Sequence, residues 1–170
     1  NREIFIFQEN EVTGIDNKGI IICPEYGHGR FLLTPYENIN KEFGCPICQE
    51  SKGERKIRNF LLSNSIDLER QKRFDDCKNL AGNRKLPFDF YIPKLNLIIE
   101  YDGEGHYMAV NFRGMSDTKA KKAFERTIEN DEIKNKYCKD NKIKILRIPY
   151  KEFKNIEKIL TKKLKITKNN

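Results

Sequence analysis

The sequence predicts an α/β (α+β) fold, a central mixed sheet flanked by helices, with a small separate module ahead of it. Three observations carry this prediction. Between residues 51 and 165 the apolar pattern runs helix, strand, hairpin, helix, strand, helix, an order that covers a sheet with helices. Residues 1–50 instead hold short apolar runs, turn signals and paired cysteines. An acidic hairpin then lies in the middle of a chain whose formal net charge is +8.

Taken in order, Ile4–Phe7 and Gly19–Ile22 are apolar segments separated by Gly14 and Asp16-Asn17-Lys18-Gly19, which read as short strands and turns. Ser51 with Glu54 forms the pattern of a capping box. The helix it opens carries Ile57, Phe60 and Leu61 and should run to about Leu62. A strand is expected over Leu68–Phe74, then a polar loop through Ala81-Gly82-Asn83-Arg84. Leu86–Ile92 and Asn96–Asp102 are the arms of the acidic hairpin, turning at Pro93-Lys94-Leu95-Asn96. Residues 106–118 lack a period and read as a loop. Asp117–Asp140 is the longest helical pattern, with Ala120, Phe124, Ile128 and Tyr137 as expected buried positions. Ile143–Ile148 is a short strand ending at Pro149, and a last helix puts Phe153, Ile156, Leu160 and Leu164 on one face.

Composition narrows the function classes. Lys+Arg of 33 against Asp+Glu of 25 suits a polyanionic partner, nucleic acid or an acidic membrane surface. No apolar run approaches the roughly 18 residues that would span a bilayer. The first residues carry no secretory signal pattern, so an intracellular, cytoplasmic protein is expected. Five cysteines is an odd number without the spacing of a disulfide framework. Cys45-Pro46-Ile47-Cys48 is a CxxC knuckle, and Cys23 with His28 forms a looser pair, together a four-ligand set for structural Zn²⁺. A module of this size has little core without a metal. The bland alternative is a small buried Cys23 and a surface His28.

The acidic hairpin carries the chemistry. If its turn sets Ile92 opposite Leu97, Asp89 falls opposite Glu100. Such neighbours have Cβ atoms roughly 5 Å apart, and like charges there destabilise a sheet. Glu100 and Asp102 share a face by alternation, so three carboxylates should converge with His106 just beyond. A fold accepts that only where a cation or a proton relieves the repulsion. Oxygen ligands suit Mg²⁺ or Mn²⁺, which makes Asp89 and Glu100 the metal-facing candidates. Asp102 and His106 could bracket an attacking water, with His106 as the base. Hydrolysis of a phosphodiester needs such a base and cations for the charge that develops. Glu54 serves equally as a capping residue or as a further carboxylate, and His106 has a purely structural alternative.

These motifs resemble the EDxHD group of phage homing endonucleases, itself similar to very short patch repair endonucleases of the PD-(D/E)XK superfamily. The resemblance rests on Ser51-x-Gly53-Glu54, Pro87-Phe88-Asp89-Phe90-Tyr91, Ile99-Glu100-Tyr101-Asp102-Gly103-x-x-His106, Asp131-x-x-Lys134 and Leu146-Arg147-Ile148-Pro149-Tyr150. It implies a restriction-endonuclease-like mixed sheet over residues 51–170 and metal-dependent cleavage of double-stranded DNA by a phage- or virus-encoded enzyme. Asp89 would be the principal metal ligand, Glu54 a supporting one, and Glu100, Asp102 and His106 would fill the second carboxylate and base positions. The chain departs from the superfamily in having Asp102 where a lysine would stand, so His106, a second metal or Lys134 must supply that charge. Residues 1–50 resemble the small zinc-ribbon-like, Cys-Pro-x-His-Gly DNA-binding modules ahead of such nucleases, with two extra residues before His28. Arg113, Lys119, Lys122 and Lys134 are the expected DNA contacts, although a charge run is usually a solvated face. A double-strand cut by one active site would require a homodimer or two successive events. The rival class is a non-catalytic DNA-binding protein on a degenerate nuclease fold.

Overall fold

The computed structural model describes residues 48–110 and 116–166, together with the backbone of three strands nearer the N-terminus. The chain divides into two compact units, Asn1–Arg55 and Lys56–Asn170. The helix over Lys52–Ser63 spans this division.

In the first unit β1 (Ile6–Phe7), β2 (Gly19–Ile22) and β3 (Arg30–Leu33) form an antiparallel sheet in that order. Of the expected strand at residues 4–7, Ile6–Phe7 is a strand and residues 4–5 lie outside the described residues, and β3 is an addition to the expected pair. Of the zinc candidates, Cys23, His28 and Cys45 lie outside the described residues, and Cys48 sits in a turn.

The second unit is built on a four-stranded mixed sheet. Helix α1 (Lys52–Ser63) begins with the reciprocal capping box: Ser51 N–H donates to Glu54 Oε2 at 3.0 Å and Glu54 N–H to Ser51 Oγ at 3.1 Å. It ends where Ser65 turns left-handed, with Ile66 N–H returning to Leu61 C=O at 3.0 Å. Strand β4 (Glu69–Lys78) runs past the expected end at Phe74 because its second half pairs the start of β5 (Lys85–Ile92) across the loop at Gly82. Gly82 has φ +69°, the left-handed region that glycine enters without cost. Strand β6 (Leu97–Asp102) pairs β5 with Ile92 opposite Leu97, the expected register. Asn96 makes the turn at φ 44°. It accepts from Tyr91 Oη at 3.0 Å and donates to Lys142 C=O at 3.2 Å, pinning the turn to the start of the next strand.

Helix α2 (Asp117–Asp140) has the expected bounds and carries the chain to β7 (Lys144–Pro149), which runs parallel to β6. Helix α3 (Ile156–Leu164) follows a 3₁₀ turn. The strand order is β4-β5-β6-β7, so β5 and β6 are central. One core cluster packs Ile57 and Leu61 of α1 and Ile156 and Leu160 of α3 onto Phe90, Ile92, Leu97, Ile99 and Ile148. A second packs Cys138 of α2 with Cys77, Leu86, Phe88 and Ile98. Each fully buried aliphatic side chain contributes roughly 1.5–3 kcal/mol.

Phe88 and Phe90, two residues apart on β5, belong to different clusters. The strand alternation is therefore interrupted at Asp89. On α2, Ala120 is buried as expected, but Ile128 is 39% exposed while Lys134 and Cys138 are buried. Phe124 is half-buried and Tyr137 packs against the second cluster, so the apolar period places the inward face and misses at Ile128, where that face turns polar.

Candidate active site

The interruption at Asp89 is where side chains take over from the ladder. Asp89 N–H donates to Glu100 Oε1 at 3.1 Å, and Tyr101 N–H donates to Asp89 Oδ2 at 2.9 Å. Across the other edge of β5, Gln71 adopts φ 49° and its amide lies 3.5 Å from Asp89 Oδ1. A non-glycine residue in that region is uncommon and marks local strain. The two carboxylates thus meet on adjacent central strands, one position past the last ladder pair, Phe90 with Ile99.

The first relief of their repulsion comes from α2. Lys134 Nζ lies 2.8 Å from Glu100 Oε2, with side-chain exposures of 10% and 3%. It also stands 5.1 Å above the ring of Phe88, a second favourable contact for a desolvated cation. Burial, and then the charge of Asp89, still push the Glu100 carboxyl up to about 7 against the pull of Lys134. Burial likewise raises Asp89, opposed by the Tyr101 N–H and by Lys134. Lys134 was expected on a DNA-facing surface; it is buried against the acidic pair instead.

Asp102 takes a different partner. Arg147 of β7 grips it with a planar fork, Nη2 to Oδ1 at 2.7 Å and Nε to Oδ2 at 2.9 Å. The same Nη2 reaches Asp131 Oδ1 at 2.8 Å. Burial alone would lower the Arg147 pKa, and its bonds to Asp102 and Asp131 reverse this, raising it. The third carboxylate is therefore neutralised by a guanidinium rather than left to a metal.

His106, on the 3₁₀ turn Glu104–His106, approaches Asp131 Oδ2 at 2.7 Å through Nδ1, against 3.9 Å to Asp102. Asp131 is thus its partner. The hydrogen bond to Asp131 raises the histidine pKa while burial opposes it. Burial would raise Asp131, but bonds from His106 and Arg147 hold it below the ordinary carboxylate range. Asp89 responds electrostatically to Lys134, Asp102 and His106, so the groups form one site.

Glu54 serves its helix N-terminus in the capping box. Lys119 and Lys122 are exposed on α2, and Arg113 lies outside the described residues. Asp131 and Lys134, readable from sequence as a helical ion pair, do not pair with each other but hold His106 and Glu100 respectively. Arg147 was not among the expected site residues. Its signal was a lone guanidinium inside the apolar run Ile145-Leu146-Arg147-Ile148, as costly there as Asp89 in its own strand. Among the described residues, no three carboxylate, histidine or cysteine side chains cluster closely enough to ligate one ion by themselves. No described helix is long and apolar enough to cross a membrane.

No family model and no solved structure matches the chain. A curated viral protein does, at 32% identity over 152 residues that span 78% of this chain and 74% of the relative. On that identity and coverage, the chain belongs to the family of the uncharacterized protein 307L of Invertebrate iridescent virus 6.

Proposed function

We propose that this chain is a metal-dependent DNA endonuclease that hydrolyses phosphodiester bonds. The reading rests on one observation, the buried carboxylate of Glu100 and the half-buried one of Asp89, facing each other with raised pKa values beside a histidine oriented by its own carboxylate. A divalent cation fits this pair. Among the described residues Asp89 Oδ1 has only the long contact to Gln71, and the ion pair of Lys134 goes to Glu100 rather than to Asp89. Mg²⁺ is commonly held by one or two carboxylates with water completing its shell, so a third side-chain ligand is not required. Such an ion would supply charge stabilisation for the phosphorane-like transition state.

The chain's own residues do the rest. With Nδ1–H donated to Asp131, the other ring nitrogen of His106 presents a lone pair that can take a proton from water. The water oxygen then bonds to phosphorus as the bond to the leaving oxygen breaks, and that oxygen is protonated. Arg147 fixes Asp131, and through it the ring. Lys134 fills the role of the lysine that Asp102 displaces, from a helix rather than a strand. In the same reading Cys23, His28, Cys45 and Cys48 hold a structural Zn²⁺, a tetrahedral Cys₃His donor set.

The test is plasmid cleavage with Mg²⁺ or Mn²⁺ by wild type, Asp89→Ala and His106→Ala. Metal-dependent nicking or linearisation, lost in both variants, is expected. The second reading, a DNA-binding protein without catalysis, draws on the pairing of Glu100 and Asp102 with Lys134 and Arg147, which leaves less charge for a metal. Salt-sensitive DNA binding without any cleavage would favour it.

A further inference from the structure

Beside His106 a cleft of about 290 Å³ opens between α2 and the loop joining β4 to β5. His106, Asp131 and Lys134 reach it from the candidate active site, and Arg84, Arg126 and Asn130 line it from the loop and the helix. The charges of the first three are already balanced, His106 and Asp131 against each other and Lys134 against Glu100. The two arginines are different. Among the described residues neither guanidinium has an ion-pair or hydrogen-bond partner, and the Asn130 amide has none either. The loop is nonetheless built, with Asn79 Oδ1 accepting from Arg84 N–H at 3.1 Å and Asn79 N–H donating to Arg84 C=O at 3.0 Å. A third cation adds to the field: Arg73 is pushed below its ordinary pKa by burial and then by the charge of Arg84. Unbalanced guanidiniums around a small polar cleft call for an anion, and their planar fork matches phosphate oxygens. The volume stands at the low end of roughly 300–1,000 Å³ for small-ligand sites, room for one nucleotide and not for a duplex segment.

We infer that this cleft is a nucleotide-phosphate subsite, in which Arg84 and Arg126 hold the phosphate of the nucleotide next to the one cleaved. The assignment of that neighbour rests on the endonuclease reading; the binding of a nucleotide phosphate does not. The subsite would fix the register of one strand so that the following phosphodiester meets Asp89 and His106. Asn130, with its amide unengaged, is placed to face the sugar or base edge.

The experiment titrates a 5′-phosphorylated deoxydinucleotide into the full chain without added Mg²⁺ or Mn²⁺, reading amide shifts and affinity by NMR. Three proteins are compared: wild type, Arg84→Gln/Arg126→Gln, and Lys162→Gln/Lys163→Gln, which removes the same charge from exposed positions on α3. Expected are shifts at Asn79, Arg84 and Asn130, an affinity at least about tenfold weaker in the arginine pair, and a change within about twofold in the lysine pair. Equal weakening in both pairs, or none in the arginine pair, would overturn the subsite. DNA cleavage by the same proteins separates the two readings. Nucleotide binding through the arginines with no cleavage by wild type would sink the nuclease and keep the subsite. Cleavage by the arginine pair with unchanged KM and kcat would do the reverse.

Discussion

Replacing Lys134 by Met would leave the Glu100 carboxylate, 3% exposed, without its cation. At their separation of 2.8 Å the pair attracts by about 6 kcal/mol at an effective dielectric near 20. Removing one partner of such a pair costs roughly 3–5 kcal/mol, since the other charge stays buried. The penalty must depend on pH. The native Glu100 carboxyl titrates at about 7 against an ordinary 4.5, so its ionisation already costs the native state about 3 kcal/mol, lost as pH rises between those values. Without Lys134 that loss grows and extends to higher pH. At pH 5.5 the carboxyl is protonated in the folded protein, and the substitution costs little more than a neutral hydrogen bond, about 1 kcal/mol. Urea unfolding without added Mg²⁺ or Mn²⁺ at pH 5.5 and pH 8.5 reads the difference directly. The double variant Glu100→Gln/Lys134→Met should recover most of the loss at pH 8.5. An equal penalty at the two pH values, or additive effects in the double variant, would refute the pairing argument.

Other outcomes follow from the same geometry. Asp131→Asn should lower the His106 pKa, seen by NMR, because the hydrogen bond that raises it loses its charge. The stability cost of that substitution should be largest between about pH 4 and 6.5, where Asp131 is ionised and His106 protonated, and should shrink as pH rises through the histidine's native pKa. Mg²⁺ should raise the Tm of wild type in a concentration-dependent way, by about 2.7 kcal/mol of stability at a hundredfold excess over Kd, and leave Asp89→Asn unmoved. Ile57→Ala, at a fully buried position under the sheet, should cost about 2–5 kcal/mol in urea unfolding without changing metal binding. Cys45→Ser should reduce the zinc content of purified protein, and unchanged zinc would remove that residue from the ligand set.

Much of the frame was legible because local rules were strong. Helical period and a capping pair set α1, and the length of a polar helical pattern set both bounds of α2. A short Pro-containing turn sets Ile92 opposite Leu97 and so carries Asp89 to Glu100, since a hairpin's register follows from its turn. What local rules did not give was one burial position on α2 and the partners of the charges. Ile128 was expected inside and lies outside, because the inward face of α2 turns polar there.

The sequence by itself therefore determined which charges would be forced together, the acidic pair of the central hairpin, and that something positive had to answer them. Only the tertiary structure decided what answers them. Lys134 and Arg147 reach Glu100 and Asp102 from elements far along the chain, and Asp131 rather than Asp102 takes His106. Those choices depend on how α2 and β7 pack beside β6, which local spacing does not encode. A charge's neighbours along the chain are set by sequence; its partners across a core are set by packing.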